Sequence, residues 1–463
     1  MGSGRGGVRE EGDRSGRVIR VRPARRALGR TFASLQVRNY RFYFAGQGLS
    51  MVGTWMQSVG QSWLVYARTH SGVEVGLIVA LQALPVLLFG PFGGTLSDRF
   101  SKYRLLFWTQ SLAGAQAFLL AALAISGHLP LWALYLVATS LGAIKMVDNP
   151  TRQSFIIEMV GRKYVRNAVT LNTTTNNVAR SVGPAVAGLV IAVVGAGWCF
   201  FVNGCSFVFV IAALAAMRKH ELLPAQRANR IRGQVKAGLR YVARQPVLRD
   251  ALVMMAVVGC FTYEFQTTLS LMAGGPLHGG PETYGVLTAC VGLGSALGGL
   301  VFAGLRSRDS RRLPVLAFTF GAVVLLAALA PTLPAEAVVL FFVGAASVAF
   351  TSLTNSTLQL ESAPEMRGRV MSLWSMAFQG TTPIGGPLVG WIAGELGARY
   401  GLGVGAVAAM AVGGWFVVAF RRTRPAAAAD GPRALRAEPP PVVGGAPLDG
   451  TEPGPVATAE RAS

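Results

Sequence analysis

The chain has 463 residues, of which 52% are hydrophobic and only 14% are charged, and its formal net charge is +22. A soluble domain carries about a quarter charged residues, so this composition excludes an ordinary soluble enzyme, a disordered chain and a disulfide-built secreted module. The basic residues are confined to connections between long apolar runs and form no patch, which argues against nucleic-acid binding.

The apolar runs predict twelve membrane-crossing helices, because a span of the hydrocarbon core needs about 20 residues. The predicted spans, numbered one to twelve, are 43–66, 73–97, 104–126, 130–149, 168–195, 197–217, 249–273, 283–305, 313–331, 335–357, 370–394 and 400–420. They divide the chain into a basic tail (1–40), a six-helix bundle (41–217), a basic linker (218–248), a second six-helix bundle (249–420) and a tail (421–463) whose Ala, Pro and Gly content predicts disorder.

The basic residues also predict the orientation of the chain. Nearly all of the 43 lysines and arginines lie in the tails and in alternate connections, whereas the opposite connections contain only Arg68 and Arg399. Cytoplasmic loops of membrane proteins carry an excess of such residues. We therefore expect both tails and the linker to lie in the cytoplasm.

Three sequence features recur in the same order in the two halves. The segment NPTRQ at 149–153 is matched by NSTLQ at 355–359, EMVGR at 158–162 by EMRGR at 365–369, and Gly183-Pro184 by Gly386-Pro387. This indicates an internal duplication and predicts two pseudo-symmetric bundles. Paired halves with a binding site at their interface are typical of transporters.

The connection between spans two and three is a short basic turn, GGTLSDRFSKYR at 93–104. Glycine allows helices to approach closely, and a carboxylate at a helix end can pair with a neighbouring cation. We interpret the turn as a gating motif formed by Gly94, Asp98, Arg99, Lys102 and Arg104, with Arg152 as a further partner of Asp98. The alternative is a simple stop-transfer turn.

This turn resembles the signature loop of the major facilitator superfamily. Further segments are similar to its bacterial enterobactin-exporter and multidrug-efflux branch: NYRFYFAGQ at 39–47, GTWMQ at 53–57, WLVY at 63–66, DNPTRQ at 148–153 and NVARSVGP at 177–184. The resemblance implies a twelve-helix fold in a bacterial cytoplasmic membrane that exports small amphiphilic compounds, such as drugs or siderophore-like metabolites, in exchange for protons. The second half departs from the loop pattern, because Ala303 aligns with Asp98.

Ionisable residues within spans are candidates for proton coupling, because charges are costly at membrane depth. Glu264 lies mid-way along span seven, which the resemblance places beside the cavity; it could instead be a structural carboxyl. Asp148 could carry the proton or form a neutralised cluster with Lys145 and Arg152, which share its helix face. Arg180 could bind an anionic substrate group, neutralise an acidic partner such as Asp148, or reach the membrane interface.

Polar residues recur at helical spacing in several spans and must face either a cavity or another helix. The candidates for lining a substrate cavity are Gln47, Ser50, Thr54, Gln57 and Gln61 in span one, Asn172 and Asn176 in span five, Gln266 in span seven, and Thr351 and Asn355 in span ten. A packing or bending role is expected for Gly183, Pro184, Gly188, Gly386 and Pro387.

The chain has no Gly-x-x-x-x-Gly-Lys-Ser/Thr loop, which excludes ATP hydrolysis, and we expect no enzyme activity, cofactor or metal. The expected partners are a small-molecule substrate and the lipid bilayer, the chain is expected to act as a monomer, and the driving force is hypothesised to be a proton gradient. Two alternatives stay open: a transporter for metabolite uptake, and a membrane sensor or scaffold that transports nothing.

Overall fold

The computed structural model describes Gly2 and residues 32–223, 234–304, 309–363 and 365–422. Most of the predicted basic tail (1–40), part of the linker (218–248) and nearly all of the predicted disordered tail (421–463) therefore lie outside the described residues. Met1–Val418 forms one compact unit, and the second unit, Ala419–Ser463, is described only as far as 422. In the described part of the chain every regular element is helical.

The first half contains six long helices. They are α1 (Arg38–Thr69), α2 (Gly72–Arg99), α3 (Lys102–Ile125), α4 and α5 (both within Leu131–Val194) and α6 (Ala196–Ala215). Gly161 separates α4 from α5, because its φ of 65° and ψ of 179° interrupt the helix at a conformation that favours glycine. Ser71 caps the start of α2, because its side chain accepts a hydrogen bond from the Glu74 backbone amide.

The linker contains a short helix, α7 (Gln234–Ala243), before the second half begins. The second half contains eight helices. They are α8 (Pro246–Phe261), α9 (Phe265–Gly274), α10 (Pro281–Gly304), α11 (Leu313–Leu329), α12 (Leu333–Glu361), α13 (Arg367–Gln379), α14 (Thr382–Glu395) and α15 (Ala398–Arg422). Short 3-10 helices lie at Ala33–Gln36, Lys219–Glu221 and Ser310–Arg312.

These helices form the twelve predicted spans. By length and composition alone, nine segments of the described residues could cross a membrane, and one of them, Leu131–Val194, contains both α4 and α5. The two remaining spans are α1, which carries the polar stripe, and the pair α13–α14, in which each helix is short. The fold is therefore an all-α membrane protein of two six-helix bundles.

Span seven is divided into α8 and α9, whereas the sequence predicted one continuous helix over 249–273. The residues between them leave the helical path, and Glu264 has a ψ of 39°. The polar side chains at this break bond to neighbouring helices, as burial in a membrane favours. The Thr262 hydroxyl donates to the Gly405 carbonyl at 2.8 Å, and the Tyr263 hydroxyl donates to the Ser347 carbonyl at 2.8 Å.

Span eleven is divided in the same way, into α13 and α14, although the sequence predicted one helix over 370–394. The physical cause is readable in the chain. A continuous helix would need the Pro383 nitrogen to donate to the Gln379 carbonyl, and proline has no N–H. The helix stops at Gln379 and restarts at Thr382, so the α14 N-terminus lies inside the bundle.

Glycine contacts relate the two halves by pseudo-symmetry. In the first half α1 packs on α6 at Gly53 and α2 packs on α4 at Gly142, where an added Cβ would meet the partner helix. The equivalent pairs of the second half pack in the same way, α8 on α15 at Gly405 and α10 on α12 at Gly294. The same pairs of spans are therefore in contact in both bundles, which fits the duplication seen in the sequence.

The two halves meet at one end of the bundle. We call this the distal end; it carries the α1–α2, α3–α4, α5–α6, α9–α10, α11–α12 and α14–α15 connections, and the opposite end is the proximal end. There α2 lies against α14, with Gly76 facing Gly386, and α5 lies against α10, with Gly188 facing Gly285. These two contacts are equivalent under the pseudo-symmetry and close the distal end.

The outer surface of the described bundle is apolar, with large side chains such as Val193, Trp415 and Phe92 mostly exposed. Exposed apolar surface on this scale marks contact with a membrane or a partner. It is the surface expected of a protein surrounded by lipid.

Replacing Gly76 by leucine should destabilise the closed distal end. An added Cβ at Gly76 would overlap the backbone of Gly386, so the two helices must separate. Overpacking of this kind costs about 1–3 kcal/mol. We expect the melting temperature of the purified protein to fall by several degrees. Gly90→Leu on the same helix is the control, because a Cβ there meets nothing within 4 Å. Equal melting temperatures for the two variants would contradict the assignment.

Candidate functional site

A cavity of about 180 Å³ lies between α2, α4 and the break that divides α13 from α14. Its lining residues lie near the middle of the helices α2 and α4 and at the break in span eleven, so the cavity is walled by both halves of the protein. Its polar lining is Gln82, Lys145, Asn149, Ser375, Gln379 and Thr382, and its apolar lining includes Val79, Val86, Leu87 and Met376. Binding sites near the midplane at interrupted helices are a recurring feature of secondary transporters.

Glu264 lies at the start of α9 and is 3% exposed. Its carboxyl group is within hydrogen-bonding reach of the Thr382 side chain, at the start of α14, and one carboxyl oxygen lies beside Gly386. The other oxygen, Oε1, is buried without a hydrogen-bond partner among the described residues. A carboxyl with one unpartnered oxygen is therefore held where the two interrupted helices meet.

Lys145 forms no ion pair with Asp148, contrary to one alternative for the charge cluster, and the two interact electrostatically over a longer distance. The Lys145 Nζ donates to Gln82 Oε1 on α2 at 3.0 Å, and the side chain lines the cavity. The part of the chain that the structure describes offers no carboxylate within ion-pairing distance of this amine. Sequence reasoning missed Lys145 as a cavity residue, because its helical spacing from Asp148 suggested a neutralised pair.

Asp148 belongs to a different cluster, in which both of its carboxyl oxygens have partners. Its Oδ1 accepts hydrogen bonds from Thr109 at 2.8 Å and Gln110 at 2.7 Å, both on α3, and its Oδ2 pairs with Arg152. Arg152 therefore serves Asp148 in this structure. The geometry is that of the neutralised cluster, with Arg152 rather than Lys145 as the counter-charge.

Arg180 is half-buried on α5 and faces the second half. Its guanidinium lies 5.6 Å from the centre of the Trp55 ring and close enough to the Tyr263 phenol to interact with it electrostatically. It forms no ion pair with any described carboxylate, so it does not neutralise Asp148 here. Tyr263 and Trp55 were not predicted as site residues; Tyr263 precedes Glu264 directly, and that position was the only signal.

Much of the α1 polar stripe packs against another helix. Gln57 is 1% exposed and its Oε1 accepts a hydrogen bond from Asn203 Nδ2 on α6 at 2.6 Å. The Gln57 Nε2 is buried without a partner among the described residues, so a role of Gln57 in lining a cavity stays a prediction. Gln47, Ser50 and Gln61 are also buried, and the half-buried Thr54 donates to the Ser50 carbonyl at 2.8 Å.

Gln266 links the two halves on the distal side of the cavity. Its side-chain Nε2 donates to the Ser58 hydroxyl on α1 at 2.9 Å, and its backbone carbonyl accepts a hydrogen bond from the Tyr284 hydroxyl at 3.2 Å. The Tyr284 ring stacks on Trp63 with ring centres 6.3 Å apart. These contacts add to the glycine contacts that close the distal end.

The remaining cavity candidates lie on the α5 and α12 faces. Asn172 is half-buried and Asn176 is exposed. Thr351 donates to the Ser347 carbonyl at 2.9 Å, and Asn355 Oδ1 accepts from Gln359 at 2.5 Å. None of these four side chains contacts Glu264.

The predicted gating turn is held by a partner that was not predicted. Lys102 Nζ pairs with Glu158 Oε1 at 2.8 Å, which ties the α2–α3 turn to the proximal end of α4. Gly94 is buried, whereas Arg99 and Arg104 are exposed. The side chain of Asp98 lies outside the described set. Glu158 had appeared only as part of the duplicated EMVGR segment.

The predicted packing residues lie at helix contacts. A Cβ on Gly183 would meet Val52 and Trp55 of α1, and one on Gly188 would meet Gly285 of α10. Pro184 lies within α5, and Pro387 within α14 directly after Gly386. The described residues contain no group of three or more His, Cys, Asp or Glu side chains that could hold a metal ion.

Breaking the Asp148–Arg152 pair should destabilise the protein. Asp148→Asn leaves Arg152 without its counter-charge, and removing one partner of a buried pair costs about 3–5 kcal/mol. We expect a lower melting temperature, which adding Arg152→Gln partly restores, as a double-mutant cycle measures. Glu221→Gln, in an exposed pair with Arg218, is the control and should change little. Additive effects of the two substitutions would show that Asp148 and Arg152 do not interact.

Three comparisons with known proteins bear on this site. A family model described as "Transmembrane secretion effector" matches residues 29–456. The chain is 25% identical to the staphyloferrin A transporter of Staphylococcus aureus over 56% of this chain and 65% of that protein. It is 26% identical to the multidrug efflux pump Tap of Mycobacterium tuberculosis, over 75% of this chain and 83% of that protein. It is 23% identical to the enterobactin exporter EntS of Salmonella typhimurium, over 76% of this chain and 84% of that protein.

Solved transporter structures share the fold. The structure of the peptide transporter POT in complex with alafosfalin superposes with a TM-score of 0.68 at 15% identity, covering 83% of this chain and 94% of that one. The nucleoside transporter NupG superposes with a TM-score of 0.66 at 13% identity, covering 84% and 99%. At such identities the likeness shows the fold alone.

The match over most of the chain establishes the family, whose members move small molecules across membranes and are not enzymes. The membrane-spanning helices and the bacterial relatives place the protein in the bacterial inner membrane. The chain therefore belongs to the transmembrane secretion effector family of major facilitator superfamily transporters.

Proposed function

We propose that the protein exports small amphiphilic compounds in exchange for protons by alternating access, with both tails in the cytoplasm and the distal end facing outward. The observation that carries this proposal is Glu264, a buried carboxyl with an unpartnered oxygen at the meeting point of α9 and α14. Ionisable groups at membrane depth are functional candidates, because their charge is costly there.

Proton binding and distal closure act through the same contact. Glu264 lies beside Thr382 and Gly386 of α14, and Gly386 in turn touches Gly76 of α2. When the distal end closes, α2 and α14 meet and water is excluded from Glu264. A neutral carboxyl tolerates that exclusion better than a carboxylate does. Separation of α2 from α14 opens a path to Glu264 from the distal side, through which a proton enters.

The proximal gate would be the α2–α3 turn. The Lys102–Glu158 pair ties this turn to α4 at the proximal end, and the hydrogen bonds that Asp148 accepts from α3 side chains join α4 to α3 about three turns away along α4. Breaking and remaking the Lys102–Glu158 pair is a two-state change of the kind that gates transporters. Asp98 and its basic neighbours are assigned to the same gate.

Three lines of support favour export by a single chain. Relatives named for efflux or export include Tap and EntS, so outward movement is the direction we propose. The basic residues of the tails and alternate connections favour cytoplasmic termini. The described halves close the distal end on one another, and we propose that the protein acts as a monomer. The proton gradient is proposed as the driving force.

The test uses inverted membrane vesicles with an imposed proton gradient and a pH-sensitive dye. A panel of amphiphilic drugs and siderophores is added to vesicles that contain the wild-type protein, Glu264→Gln or Glu282→Gln. We expect compound-dependent collapse of the gradient with the wild type and with Glu282→Gln, whose carboxyl is exposed, and at least a tenfold lower rate with Glu264→Gln.

Asp148→Asn separates coupling from stability in the same assay. Because both carboxyl oxygens of Asp148 have partners, we expect this variant to have a lower yield of folded protein or a lower melting temperature. The protein that folds should still collapse the gradient. If folded Asp148→Asn loses proton coupling and Glu264→Gln keeps it, the residue that carries the proton is Asp148 and not Glu264. Compounds that collapse no gradient and are taken up by intact cells would favour the uptake alternative.

A further inference from the structure

Lys145 lies in the cavity without a counter-charge. Asp148 is three residues away in the sequence, but its oxygens already bind Thr109, Gln110 and Arg152. Arg152 balances the charge of Asp148, so Asp148 does not balance the charge of Lys145. The Lys145 amine has three donors, and the one partner found for it among the described residues is the Gln82 amide oxygen. A net positive charge therefore faces the cavity.

The opposite wall also favours a negative group. Helix α14 is 14 residues long and begins at Thr382 on the cavity wall, and a helix N-terminus carries a partial positive charge. Asn149, Ser375 and Gln379 place further amide and hydroxyl donors around the same space. In secondary transporters, interrupted helices direct such N-termini at anionic substrate groups.

The remaining lining is apolar. Val79, Val86 and Leu87 of α2 and Met376 of α13 form part of the wall between the polar groups. A volume of about 180 Å³ has room for the head of a ligand and part of an apolar body. The lining thus combines one unpaired cation, neutral donors and apolar side chains.

We propose that this cavity binds the carboxylate of an otherwise apolar substrate, with Lys145 as its counter-charge. The inference rests on the proposed function, in that it assigns a substrate class to the same transporter. The carboxylate pairs with Lys145 and with the donors of α14, and the apolar body lies against α2 and Met376. Because both halves form the wall, a bound ligand is released when they separate.

Arg180 is the rival cation, and the geometry favours Lys145. The Arg180 guanidinium is taken up by the Trp55 ring and the Tyr263 phenol, and it is not part of the cavity lining. Glu264 does not neutralise Lys145 either, because the two form no ion pair and Thr382 stands between Glu264 and the cavity. A ligand carboxylate in the cavity therefore contacts Lys145 and is separated from Glu264 by Thr382.

The test measures equilibrium binding to the purified full-length protein in nanodiscs, with no gradient. The probes share one apolar body and differ in their head groups: 2-naphthoate, 2-naphthamide and 2-naphthylmethylammonium. A hydrogen-bonded charge pair should favour 2-naphthoate over 2-naphthamide by about tenfold or more in Kd. Lys145→Gln should remove that preference and leave the Kd of 2-naphthamide unchanged, and Lys145→Arg should retain it.

Lys163→Gln is the matched control, because Lys163 is exposed and outside the cavity, and it should keep the wild-type preference. Melting temperatures of all variants establish that each is folded. The proposal is overturned if the wild type shows no preference for 2-naphthoate, if it prefers the ammonium probe, or if Lys145→Gln keeps the preference while Arg180→Gln loses it. Since binding is measured without a gradient, failure of proton coupling in Glu264→Gln does not affect this result.

Discussion

Lipid offers no hydrogen-bonding partner, so each polar group within the membrane must find one inside the protein. The described spans obey this constraint closely where a helix is interrupted: the hydroxyls of Thr262 and Tyr263 bond to carbonyls of neighbouring helices. The described spans also contain buried polar atoms without a partner, among them both carboxyl oxygens of Glu336. Two groups matter for the cavity. Glu264 keeps an unpartnered carboxyl oxygen, and Lys145 keeps an amine without a carboxylate, and both lie at the interrupted helices.

Close helix contact places these groups under the control of the distal closure. Glycine at Gly76 and Gly386 allows the backbones of α2 and α14 to touch, and the same segment of α14 carries Thr382 beside Glu264. In the proposed cycle, separation of the halves is the movement that admits water to Glu264. The pseudo-symmetric contact of α5 with α10 has glycine too, at Gly188 and Gly285, and it lies beside Glu282, whose side chain is exposed whereas that of Glu264 is buried.

Residue type did not distinguish structural charges from functional ones. Asp148 and Glu264 are equally buried, yet Asp148 has three partners and Glu264 retains an unpartnered oxygen. Helical spacing put Lys145 on the face of Asp148, but a long flexible side chain can turn to either neighbour. Gln57 shows the same limit, because a polar stripe on a helix is satisfied equally well by a cavity or by Asn203 on the next helix.

The sequence by itself determined twelve spans, their duplication into two halves, the gating turn and Glu264 as a candidate, because hydropathy, repeats and buried charge are properties of local composition. Pro383 was also in the sequence and would have predicted the break before α14. Only the tertiary structure decided which helix faces which, since glycine and small side chains permit many contacts and distant segments choose among them. It alone brought Lys145, Gln82 and Thr382 to one cavity from three spans, and tied Lys102 to Glu158 across 56 residues.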